Sequence, residues 1–188
     1  MYGSRRLRAG FAALVAVGSM AILAGLLPAT SGAKMVAPRS KCEGQANIKA
    51  AEGRQEDALR CLINFARDHS GAGGVGENKD LEKAAGKKSG DVMSCGFSHT
   101  ACGNAPDLYA IREGYASGAF QWGENLAWGS GKNGSARSTL KMWLNSPPHR
   151  ETMLHGSFDD LGIGLKRGSF SGHHNAAVWV LQIGCKGC

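Results

Sequence analysis

Apolar positions fall at helical spacing early in the chain: Leu59, Leu62, Ile63 and Ala66 recur at i, i+3, i+4 and i+7, which predicts an amphipathic helix over residues 55–68. Leu81, Ala84, Ala85 and Val92 predict a second helix running to residue 93, weakened by Gly86 and Gly90. Pro106 suits the first turn of a short third helix reaching residue 113. Ser135 is placed to cap a further helix whose Leu140, Trp143 and Leu144 face inward, and Pro147 and Pro148 are expected to stop it. The pattern then changes period. Leu161, Ile163 and Leu165 alternate with Gly162 and Gly164, a strand packed on one face and bare enough on the other for a neighbour to come close. Residues 176–183 are apolar nearly throughout, as in a central strand covered on both faces. Helices first, strands later, and helices enough for both faces predict an α+β fold, a three-layer α-β-α sandwich.

The start of the chain has its own pattern. Arg5, Arg6 and Arg8 precede an apolar run over residues 11–27, and Ser31, Gly32 and Ala33 supply small residues for a signal peptidase, so residues 1–33 read as a signal peptide. A run of 17 residues is short for a membrane span, and no cysteine follows it at a lipoprotein position. The expected result is a secreted, extracellular protein with no stable membrane span after cleavage. Its organisation reads as an N-terminal arm over residues 34–54 and one domain over 55–188. Cleavage removes three arginines and no acids, taking the formal charge from +7 to a mild +4. That balance suits anionic wall polymers or membrane surfaces, while the absence of a basic stripe with interleaved aromatics argues against nucleic acid.

Six cysteines in an exported chain read as disulfides. Cys95 and Cys102 bracket a short loop and are the most natural pair; Cys185 and Cys188 can close on themselves, leaving Cys42 for Cys61. A redox or half-zinc reading of the terminal CxxC is weaker, because no second CxxC exists and this one opens no helix. The Gly71–Gly76 region is glycine-rich, but no GK[ST] follows it and no strand precedes it, so it reads as a plain loop. Lys83, Lys87 and Lys88 read as a solvated helix face, His69 as a helix-end residue without function, Arg150 as a clamp on loop carbonyls or a carboxylate, and the four tryptophans as packing.

The chemistry gathers in four stretches: Phe97-Ser98-His99-Thr100, Gly123-Glu124-Asn125, Trp143-Leu144-Asn145-Ser146-Pro147-Pro148-His149-Arg150, and Gly172-His173-His174-Asn175 leading to Val178-Trp179. In this order and spacing, over residues 55–184, they resemble the CAP superfamily (cysteine-rich secretory proteins, antigen 5, pathogenesis-related 1), most closely its bacterial SCP-like extracellular members. The resemblance implies an α-β-α sandwich and a cleft of two histidines and two acids. Residue by residue, it carries over to His99, Glu124 and His173. The second acid fails, since Ser146 stands three residues after Trp143; in the bacterial SPxHR form, His149 can join the cleft instead.

Two imidazoles and a glutamate are suitable donors for zinc or copper, with His99 and His173 as the ligands; without metal, the same groups form a hydrogen-bonded pair that ties loops to the sheet. Catalysis asks for more, either a nucleophile in reach of a base or a metal-activated water. Ser98 is poorly placed beside His99, and a Ser146–His149 pair is more simply a helix-ending turn. The residues therefore favour a non-enzymatic binding module, and the resemblance implies as its ligand a small amphipathic molecule such as a lipid or sterol, or else a cell-wall polymer. The alternative is a metal-dependent extracellular hydrolase acting on peptides or cell wall.

Overall fold

The computed structural model describes residues 32–188; the signal-peptide reading, apart from its last two residues, lies outside them. Among these residues, five α-helices and four strands follow in the order α1 (Glu52–Ser70), β1 (Gly76–Glu77), α2 (Lys79–Cys95), α3 (Leu108–Arg112), β2 (Phe120–Ser130), α4 (Ala136–Asn145), α5 (Pro147–Met153), β3 (Asp160–Phe170) and β4 (His173–Lys186). The strands form one sheet in the order β1-β3-β4-β2. The β2–β4 and β3–β4 pairs are antiparallel, and β1 lies parallel to β3. The expected α+β sandwich is the observed one. One face of the sheet packs Trp179, Leu181, Ile163 and Leu165 against Leu59, Leu62 and Ile63 of α1 and Leu140 and Trp143 of α4. The other packs Leu126, Val178 and Val180 against Ala85 and Val92 of α2.

The glycines in β3 set the spacing of that second layer. A Cβ at Gly162 would fall on the Leu81–Glu82 peptide, and one at Gly164 on the carbonyl of Ala85, so α2 lies with its backbone directly on the strand. This contact also explains why α2 runs unbroken through Gly86 and Gly90 to Cys95: packing against the sheet offsets a local helix penalty of about 1 kcal/mol per glycine. Asn78 caps its start, accepting from the N–H groups of Asp80 and Leu81.

Several expectations are corrected at the level of elements. α1 begins three residues early and ends on Gly71, which adopts a left-handed φ of 78°. Pro147 and Pro148 do end α4, but they also open α5, where a missing N–H costs nothing and the fixed φ is already helical. The arm before α1 is a series of turns. It buries Met35 and Ala37 in the core, and Arg137 on α4 donates to the carbonyl of Ala37. Bonds join Cys42 to Cys61, Cys95 to Cys102 and Cys185 to Cys188. The outer edge of β3, which β1 covers only at Asp160 and Leu161, is closed further along by α1: the Leu165 N–H donates to Glu56 Oε1 at 2.8 Å.

Two basic residues are far more deeply set than their surroundings suggest. Arg67 is fully buried and gives all its reach to backbone: Nε donates to the Gly73 carbonyl, Nη1 to those of Met153 and His155, and Nη2 to those of Ala72 and Phe158. The carbonyl clamp expected of Arg150 is therefore made by Arg67. Lys88, expected on a solvated face, is also fully buried, and its Nζ donates to the carbonyl of His99. In α2 it points with Ala84, Ala85 and Val92 toward the interior, and the loop after the helix supplies the acceptor.

Candidate functional site: a histidine–glutamate pair at the sheet surface

Glu124 sits in the middle of β2, and its side chain is 2% exposed. A carboxylate so placed needs partners, because burial without them disfavours its charge strongly. It has two. His99 Nδ1 lies 2.7 Å from Oε1, and Gln182 Nε2 donates to Oε2 at 3.3 Å. Gln182, which closes the run from Val178 but takes no site role from the sequence alone, faces Glu124 across the β2–β4 ladder. A two-residue period and an antiparallel register are the signals that find it.

His99 is brought to the strand by its loop. The Cys95–Cys102 bond closes the segment, the Ser98 hydroxyl accepts from the Thr100 N–H at 3.0 Å, and Lys88 holds the His99 carbonyl from below. The imidazole remains half exposed, so the pair has one dry and one wet member.

His149 approaches the same place from α5. Burial lowers its pKa, and the neighbouring His99 lowers it further, which favours the neutral ring. Its Nδ1 is 2.8 Å from Ser146 Oγ, and its carbonyl accepts from Asn125 Nδ2 at 2.7 Å. Asn125, next to Glu124, thus ties β2 to α5, a link that motif reading alone did not expose.

His173 is placed elsewhere. It opens β4 in the hairpin with β3, with its ring 5.5 Å from that of Trp128. Trp128 is four residues along β2 from Glu124, roughly 13 Å at the usual strand rise. The structure therefore joins His99 to Glu124 and sets His149, not His173, beside them. His174 bonds Ser169 Oγ, His155 tilts against Phe158, and His69 Nδ1 meets the Phe65 carbonyl at the end of α1. Of the tryptophans, Trp143 and Trp179 are buried, whereas Trp122 and Trp128 are only partly so.

The donor set does not fit a three-ligand zinc or copper site. Among the described residues, no three His, Cys, Asp or Glu side chains come together as metal ligands. Glu124 is engaged on both oxygens, and the Nδ1 atoms of His99 and His149 are engaged too; their two Nε2 atoms fall one ligand short. Ser146 lies in reach of His149, but the turn it opens offers little to an oxyanion. It precedes Pro147 and Pro148, so the first two helical positions after it carry no N–H to stabilise an oxyanion. The contact with His149 is better described as a hydroxyl fixing a ring at the start of a helix.

The α+β sandwich is a fold shared by known proteins. Residues 61–183 match the family model of CAP, the cysteine-rich secretory protein family, and the chain belongs to that family. Pathogenesis-related protein 1C of Nicotiana tabacum is 34% identical over 67 residues, a match that spans 35% of this chain and 35% of the tobacco protein. Two bacterial structures share the fold. An extracellular protein containing a SCP domain from Bacillus anthracis str. Ames superposes with a TM-score of 0.57 at 20% identity, over 71% of this chain and 42% of its own. An outer surface protein from Borrelia burgdorferi superposes with a TM-score of 0.53 at 24% identity, over 68% and 90%.

Proposed function

We propose that this CAP-domain protein is an exported, non-enzymatic binding module that takes a small amphipathic, lipid-like ligand in a groove beside α4 and α5. The observation that carries the reading is the groove itself. It has a volume of about 720 Å³ and is lined by the apolar side chains of Leu144, Pro147 and Leu154 with Asn145, Arg150, Glu151 and His155 around them. Volumes of about 300–1,000 Å³ with apolar walls and a few polar groups are usual for small-molecule sites. Charged groups of both signs on the rim suit a polar head over a hydrocarbon body.

Export rests on the basic, apolar and small-residue order of residues 1–33 and on the extracellular and outer-surface descriptions of the two bacterial neighbours. Among the described residues, no helix is long and apolar enough to cross a membrane. The His99–Glu124–Gln182 cluster then acts as a tie between loop and sheet. Its partners are already supplied by the protein, which supports a structural role over turnover.

The test is a fluorescence titration of residues 34–188 with a dansylated long-chain fatty acid and with a fluorescent sterol, alongside Arg150→Glu and Leu154→Gln. Saturable binding of either probe, weakened about tenfold or more by both changes, is expected. Binding of neither probe, or binding indifferent to both substitutions, contradicts the reading.

A further inference from the structure

A second cavity lies away from both the His–Glu pair and the α4/α5 groove, where the arm before α1, the loop after β2 and the β3–β4 hairpin meet. Its volume is about 710 Å³. Its lining includes Lys49 from the arm, Arg167 and Ser169 from β3, and His174 and Asn175 from β4; none of the lining side chains is acidic. Three basic or titratable side chains, a hydroxyl and an amide therefore meet in one concavity from three separate segments. Positive groups at a concave wall raise the local concentration of anions.

Arg167 sharpens the chemistry. Its Nη1 donates to the carbonyl of Ile48, which fixes the plane of the guanidinium, while its Nε is shielded from solvent and has no acceptor. A buried donor without a partner is costly, commonly about 1–3 kcal/mol. With Nη1 committed, the Nε side of the guanidinium is the one left to receive an oxyanion, and a fork of this kind matches phosphate oxygens. Burial lowers the Arg167 pKa and nearby Glu52 raises it, and the group remains a cation throughout the neutral range. The cavity is also larger than one phosphate needs, leaving room for the group that carries it.

We infer that this cavity binds a phosphate-bearing ligand, with Arg167 and Lys49 as the charge partners and Ser169 and Asn175 as neutral donors. The phosphate can come from a free anion or from a phosphodiester polymer of a cell envelope, and the experiment separates the two. The site is independent of the lipid-like ligand, so either proposal can fail without the other.

The test is a nuclear magnetic resonance titration of ¹⁵N-labelled residues 34–188 with inorganic phosphate and with a glycerol-phosphate oligomer, at constant ionic strength. The Arg167 Nε–H and the amides of Ser169 and Asn175 are expected to shift saturably, and Lys49→Glu, an exposed position, is expected to weaken binding about tenfold. Tighter binding of the oligomer identifies a polymer as the source, while equal binding per phosphate identifies the free anion. Shifts absent at Arg167, or unchanged by Lys49→Glu in a protein that melts like the wild type, overturn the inference.

Discussion

Arg67 joins the end of α1 to the loop that follows it and to one distant stretch, residues 153–158, through five carbonyls, and no other side chain type supplies five donors in one plane. Arg67→Met should therefore cost about 3 kcal/mol or more, measured by urea unfolding, and Arg67→Lys should recover little of it because an ammonium cannot span the same acceptors. His149 belongs to the same scale and makes a pH prediction. Its folded pKa lies below the ordinary histidine value because of burial, then of His99, so the unfolded chain takes up the proton first as pH falls. The neutral ring's contribution is complete above about pH 6.5 and is lost as pH drops through the folded pKa. Unfolding midpoints at pH 7.5 and 5 should differ less in His149→Asn than in the wild type; an equal difference would remove His149 from the account.

At the scale of elements, α2 and the loop that follows it position the site. Gly164→Ala would force the α2 backbone away from β3 and should cost at least about 2 kcal/mol in thermal or urea unfolding. Lys88→Met keeps most of the length of the side chain but removes the donor to the His99 carbonyl. It should leave the sheet intact while loosening residues 97–102, read as faster hydrogen exchange of those amides. Unchanged exchange would mean that the disulfide alone holds the loop. The periods of the sequence made these elements readable: the 3.6-residue spacing of α1 and the glycine alternation of β3 both correspond to real faces. They missed α5, because a pair of prolines ends one helix as readily as it begins another. They also misplaced Lys88, because a lysine in a weak helical pattern carries no mark of the carbonyl that waits for it.

At the scale of the molecule, the sandwich was legible because two apolar strand faces require two helical layers. The site was legible only in part. His99 and Glu124 come together across 25 residues of chain, but the third member depends on where a hairpin ends. β4 starts at His173 and carries it to Trp128, whereas α5 turns His149 toward His99. Gln182 and Asn125 complete the cluster through register and packing; Asn125 stands in the Gly-Glu-Asn run, but its bond to the His149 carbonyl is not readable from that run. What results is a carboxylate enclosed by its own protein's donors, and a separate α4/α5 groove that shares none of them. The most direct test of that account is Glu124→Ala, with unfolding free energy and lipid-probe affinity measured on the same preparation. The account predicts a loss of about 2–3 kcal/mol, because Gln182 and His99 lose their acceptor, with groove affinity kept within about twofold. A variant as stable as the wild type whose ligand binding is abolished would contradict it, and would make Glu124 a ligand-binding group instead of a tie.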